Sequence, residues 1–105
     1  RNLDEGRVKT AQADMVGLIA VIENEYQKTL TYPTTDLTST AAITGQFKGW
    51  APAAEDFDFK IVYASFYSIT ATSTSGRTIG CALMLDDKNN RTLTTCNVGE
   101  NGVWL

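Results

Sequence analysis

The sequence predicts an α+β domain in which one long N-terminal helix lies on a four-stranded antiparallel sheet. Two patterns and their order predict it. Over residues 1–30 apolar side chains recur at steps of three and four, the period of a helix with one buried face. Over residues 57–96 apolar and polar side chains alternate, with turn residues breaking the run at short intervals, as in antiparallel strands. A helix followed by a run of strands gives an α+β fold, whereas a parallel sheet alternates the two.

The helix stripe comprises Val8, Ala11, Met15, Leu18, Ile19, Ile22 and Tyr26. Asp4, Glu5, Arg7, Lys9, Gln12, Asp14, Glu23 and Lys28 are expected on the opposite, water-facing side. Such a helix cannot cover its own stripe. Burying each large apolar side chain is worth roughly 1.5–3 kcal/mol, so the strands must supply the cover. Pro33 drives its predecessor out of helical space, ending the helix at about Lys28 to Leu30.

Residues 31–56 read as a long loop, rich in Thr, Ser and Ala from Thr34 to Trp50, with a short helical turn around Ser39 to Ile43. Phe57, Phe59, Ile61 and Tyr63 mark the first strand. Tyr67, Ile69 and Ala71 mark the second, and the short join between them makes the pair antiparallel. Ser73 to Arg77 is a turn, Ile79 to Leu85 a third strand, Asp86 to Asn90 a polar turn and Arg91 to Cys96 a fourth strand. Residues 97–105 form a C-terminal loop and tail.

The 105 residues suit a single domain, and 43% hydrophobic with 20% charged residues is the balance of a folded protein. A net charge of −3 argues against broad attraction to nucleic acid, though not against a local basic patch. There is no histidine, which removes the usual general base and most zinc sites. The chain starts at Arg1 without an initiator Met, so it is expected to be a piece of a longer protein.

Cys81 and Cys96 fall on the third and fourth strands. A turn centred between Lys88 and Asn89 sets them opposite each other, with Leu83 facing Thr94 and Leu85 facing Thr92. Opposed residues have Cα atoms about 4.5–5.5 Å apart, within reach of a disulfide. A bridge implies an oxidising compartment; the alternative is a pair of buried free thiols.

Three stretches bear on family. Ile22 to Pro33, with Tyr26 and Tyr32-Pro33, forms a helix-ending segment. Phe66 to Thr72 carries Tyr67-Ser68-Ile69-Thr70-Ala71. Cys81 to Asp86, with Arg91, Thr92 and Cys96, is a cysteine-bounded C-terminal hairpin. In this order they resemble the soluble domain of a type IV pilin. The short cysteine-bounded segment is closer to the minor pilins, the subgroup that includes PilE-type subunits and the ComP-like DNA-uptake receptors.

That resemblance implies a long helix on a four-stranded sheet, preceded in the natural protein by an apolar half-helix. It implies a minor structural subunit of a type IV pilus, acting in assembly or initiation and in adhesion, twitching motility or DNA uptake. The implied partners are other major and minor pilins and, through the preceding half-helix, the inner-membrane assembly machinery. The implied location is the surface pilus, or the inner membrane with this domain in the periplasm. Glu5, Arg7 and Lys9 are then expected to pair with neighbouring subunits. The alternatives are a DNA-binding pilus receptor and a pseudopilin of type II secretion.

On the DNA-binding reading, Arg77, Lys88 and Arg91 form a basic patch, and Lys48 with Trp50 adds a stacking platform. Asp86 and Asp87 lie beside those cations, which favours ordinary solvated charge. Asp86 to Asn90 offers oxygen ligands for calcium, but it lacks EF-hand spacing and is ordinary turn composition. Glu55, Asp56 and Asp58 lack a partner to tune a catalytic acid, and no nucleophile motif occurs. No enzyme, metal or cofactor is expected. Asn90-Arg91-Thr92 fits the glycosylation pattern by chance, and Trp104 reads as a packing anchor.

Overall fold

Val8, Ala11, Met15, Leu18 and Ile22 form one stripe, and all five side chains are buried. In the computed structural model, which describes residues 2–105, they belong to helix α1, Asn2–Thr29. The helix crosses the two central strands of a sheet built from β1 (Phe57–Tyr63), β2 (Tyr67–Ser73), β3 (Ala82–Asp86) and β4 (Arg91–Thr94). The strands are antiparallel and follow chain order. Period-two alternation sends Phe57, Phe59, Ile61, Ile69, Ala71, Leu83, Leu85 and Leu93 into the core against α1. Their neighbours on the far face meet solvent, as in a sheet covered on one side.

Asp4 and Gln12 depart from the expected polar face, for both are buried. Asp4 lies four residues before Val8 and so falls on the stripe itself. Gln12 faces the C-terminal tail, accepting the Leu105 N–H at 2.9 Å and donating to the Leu105 carbonyl at 3.4 Å. The helix ends in a left-handed residue, Leu30 (φ 58°), whose N–H donates to the Tyr26 carbonyl at 2.7 Å.

The 31–56 segment contains the expected helical turn and also contributes to the core. Ser39 caps a second helix, α2 (Thr40–Gln46), its hydroxyl accepting the Ala42 N–H at 3.1 Å. Ile43, Phe47 and Trp50 enter the core from this side, and Trp50 meets the Phe59 ring edge-on at 5.1 Å. Leu37 exchanges two backbone hydrogen bonds with Ile61, and Asp36 accepts the Tyr63 N–H, so the β1 edge is closed by the chain's own loop.

The third and fourth strands are shorter than expected and their register is displaced by one residue. Ala82 faces Thr94, Leu83 faces Leu93 and Leu85 faces Arg91. The turn has three residues, with Asn89 left-handed (φ 66°) and the Asp86 N–H donating to the Asn90 carbonyl. An odd-length turn centres the hairpin on Lys88. Ile79 is spent on a 3-10 turn, Gly76–Thr78, where it supplies the C-terminal cap and stays exposed.

The cysteines nevertheless bridge, with Cα atoms 4.3 Å apart. Thr95, left-handed at φ 60°, adds one residue on the β4 side and brings Cys96 back opposite Cys81.

Candidate functional site

The face of α1 opposite the core is small rather than charged. Gly6, Ala13 and Ala20 are exposed along it and Gly17 is half-exposed, with Lys9 and Val16 at its border. A Cβ at Gly6 or Gly17 would meet nothing within 4 Å, so no described atom of the domain crowds these positions. Beside the first turns lies a cleft of about 410 Å³ lined by Leu3, Gly6, Arg7, Ala53, Asp56 and Phe57. Leu3 projects there with 69% of its surface exposed.

The three residues expected to meet neighbouring subunits differ in their surroundings. Arg7 pairs within the domain, 3.3 Å from the Asp56 carboxylate. Glu5 is half-buried and Lys9 is exposed. Asp4 anchors the start of the helix by accepting from Arg77 and from the Asn97 amide, each at 3.0 Å. Burial pushes the Asp4 carboxyl up, but Asn97 and Arg77 together outweigh it and hold it below the usual carboxylate range.

The basic residues form no common patch. Arg77 reaches the N-terminal end of α1 through Asp4. Lys88 lies over the Phe66 ring at 5.3 Å, beyond the other end of β3. Arg91 stacks on Trp104 at 4.8 Å and donates to the Asn89 side chain at 2.9 Å. Lys48 is exposed in the loop after α2. Trp50 is no stacking platform: it is 5% exposed, and its indole N–H donates to the Asp14 carbonyl at 2.8 Å. Asp14 also accepts the Ala53 and Ala54 N–H groups, which fixes the loop to the helix.

Asp56, Asp58 and Asp86 hold local structure, and Glu55 is exposed. Asp86 accepts the Lys88 and Asn90 N–H groups and the Asn90 side-chain amide, and these bonds depress its pKa. Asp58 accepts from Thr40 at the start of α2, and Asp56 accepts the Ser75 hydroxyl. Among the described residues no group of three or more His, Cys, Asp or Glu side chains could hold a metal ion. No helix among them is long and apolar enough to cross a membrane.

One constellation escaped the sequence reading. At the C-terminal end of α1 the rings of Tyr26 and Tyr32 stack at 4.2 Å; Tyr32 meets Tyr67 at 5.5 Å, and Tyr67 meets Tyr63 at 6.2 Å. Glu23 accepts from both the Tyr32 and Tyr67 hydroxyls. Burial, then the bond to Glu23, raises the Tyr67 pKa well above the ordinary phenol value. Burial, then the Asp36 charge, raises that of Tyr63 to about 12. A cleft of about 350 Å³ opens beside these rings. The only signal in the sequence was the set of tyrosines itself, at Tyr26, Tyr32, Tyr63 and Tyr67, which pattern reading assigned to separate elements.

No protein-family model matches the chain, and neither a curated protein nor a solved structure matches it.

Proposed function

We propose that this domain is a structural building block of a type IV pilus, a minor subunit that packs into the filament through α1. The observation that carries the reading is the two-sided helix. One side holds the sheet, while the other is a strip of small residues, Gly6, Ala13, Gly17 and Ala20, open to an approaching helix. Small side chains let helix axes approach to about 8 Å, near the close limit of helix packing.

The proportions support the same reading. Twenty-eight helical residues rise about 42 Å, and the longest dimension of the domain is 42 Å. A rod running the full length of its subunit presents different surfaces at its two ends. Head-to-tail contacts between unlike surfaces generate filaments when they do not close. The Cys81–Cys96 bridge agrees with an oxidising location such as the periplasm or cell surface. Dispersal of the basic residues and burial of Trp50 leave the DNA-receptor alternative without a geometric argument.

The test is incorporation. Filaments sheared from the source cells are probed for this domain, with wild type compared against Ala13→Arg. Ala13 is exposed, so the variant is expected to keep its stability within about 0.5 kcal/mol. The wild type is expected in the filament fraction and the variant is expected to be lost from it. Absence of the wild-type domain from filaments, or equal incorporation of both, contradicts the proposal.

A further inference from the structure

We propose that the cleft at the C-terminal end of α1 binds an organic cation of the quaternary-ammonium type. The cleft holds about 350 Å³, within the range of small-molecule sites, and its nine lining residues include Tyr32, Tyr63, Phe66, Tyr67, Pro33 and Asp87. Four of the nine are aromatic, with Tyr32 and Phe66 exposed and Tyr67 buried behind them, and aromatic faces attract cations through their quadrupoles.

The charges around the cleft select the same class of ligand. Asp87 lines it, Glu23 sits behind the Tyr32 and Tyr67 hydroxyls, and Asp36 bonds the Tyr63 backbone N–H. The last carbonyls of α1 add the negative end of the helix dipole. Against these three carboxylates stand Lys28 in the last turn of α1 and Lys88, whose ammonium already rests 5.3 Å from the Phe66 ring centre. One ring of the cleft thus carries a cation in the resting domain. An anionic ligand such as a phosphate would meet net repulsion here.

The degree of hydration narrows the choice further. A strongly hydrated primary ammonium needs several charged acceptors to replace its water, whereas the lining here offers a single carboxylate, with neutral hydroxyls such as Thr34 and Ser65 beside the rings. A trimethylammonium group gives up little hydration and presents methyl groups to the rings. The Tyr63 hydroxyl is the one buried side-chain polar atom without a hydrogen-bond partner among the described residues, and its ring lines this cleft.

The inference is independent of filament assembly and is tested on this domain with choline as the probe. Titration is followed by the ring resonances of Tyr32, Phe66 and Tyr67. The control ligand is the uncharged isostere of choline in which carbon replaces nitrogen. Saturable shifts with a Kd on the order of 1 mM are expected for choline, with binding about tenfold weaker for the isostere. Asp87→Asn is expected to weaken choline binding and Lys88→Ala to tighten it, since the latter removes the resident cation. Asp87 and Lys88 are both exposed, so neither change disturbs the core. Absence of saturable shifts, equal binding of the isostere, or unchanged affinity in Asp87→Asn overturns the proposal.

Discussion

Asp4 ties three parts of the chain together, since its carboxylate accepts from Arg77 in the 3-10 turn and from Asn97 in the tail. Its pKa is depressed in the folded domain, so the sign of the pH effect follows. Above the unfolded value of about 3.9 the stabilisation is complete, and it is lost as the pH falls through the lower folded value. Asp4→Asn is therefore expected to flatten the acid limb of a melting-temperature profile below a pH of about 4 relative to wild type. An unchanged acid limb would remove Asp4 from that role. Leu30 offers a test of opposite sign. It is 70% exposed and left-handed at the helix end, a conformation that costs a non-glycine residue about 1 kcal/mol. Leu30→Gly is expected to raise stability in urea by about that amount, with no change in fold by circular dichroism.

Among the elements, α1 and the first two strands were legible because periodicity reports burial directly, and Phe57–Tyr63 came out with its observed bounds. The helical turn expected around Ser39 to Ile43 is found as α2, whereas the burial of Asp4 and of the loop's apolar residues was not legible. Residue type outweighed position: Asp4 stands on the three-and-four ladder, and Ile43, Phe47 and Trp50 repeat at helical steps inside a Thr- and Ser-rich stretch. The hairpin register was not legible at all, because one left-handed residue, Asn89, decides whether the turn holds two residues or three. The tyrosine cleft depends on four segments meeting in space, which no local pattern encodes. Two measurements check the elements. Trp50→Ala removes a ring packed between α1 and β1 together with its bond to Asp14, and is expected to cost about 3–5 kcal/mol in chemical denaturation. Replacing both Cys81 and Cys96 by Ala opens a loop whose ends are 15 residues apart and is expected to cost about 3 kcal/mol. A loss below about 1 kcal/mol in either case would mean that the element is held by something else.

For the molecule as a whole, one helix serves two surfaces. Its inner stripe is covered by the domain's own sheet and by α2 with the loop behind it, and its outer strip is covered by nothing among the described residues. Its two ends differ in chemistry. The start carries the ion pairs Arg77–Asp4 and Arg7–Asp56, and the finish carries the tyrosines with Glu23 and Asp87. A subunit with one bare face and unlike ends is suited to repeat along an axis. The central claim is that the bare face becomes buried in an assembly. The measurement that tests it most directly is thiol labelling of Ala13→Cys, in the isolated domain and in intact filaments. Fast labelling of the isolated domain with strong protection in filaments is the predicted result; equal labelling in both states would contradict it.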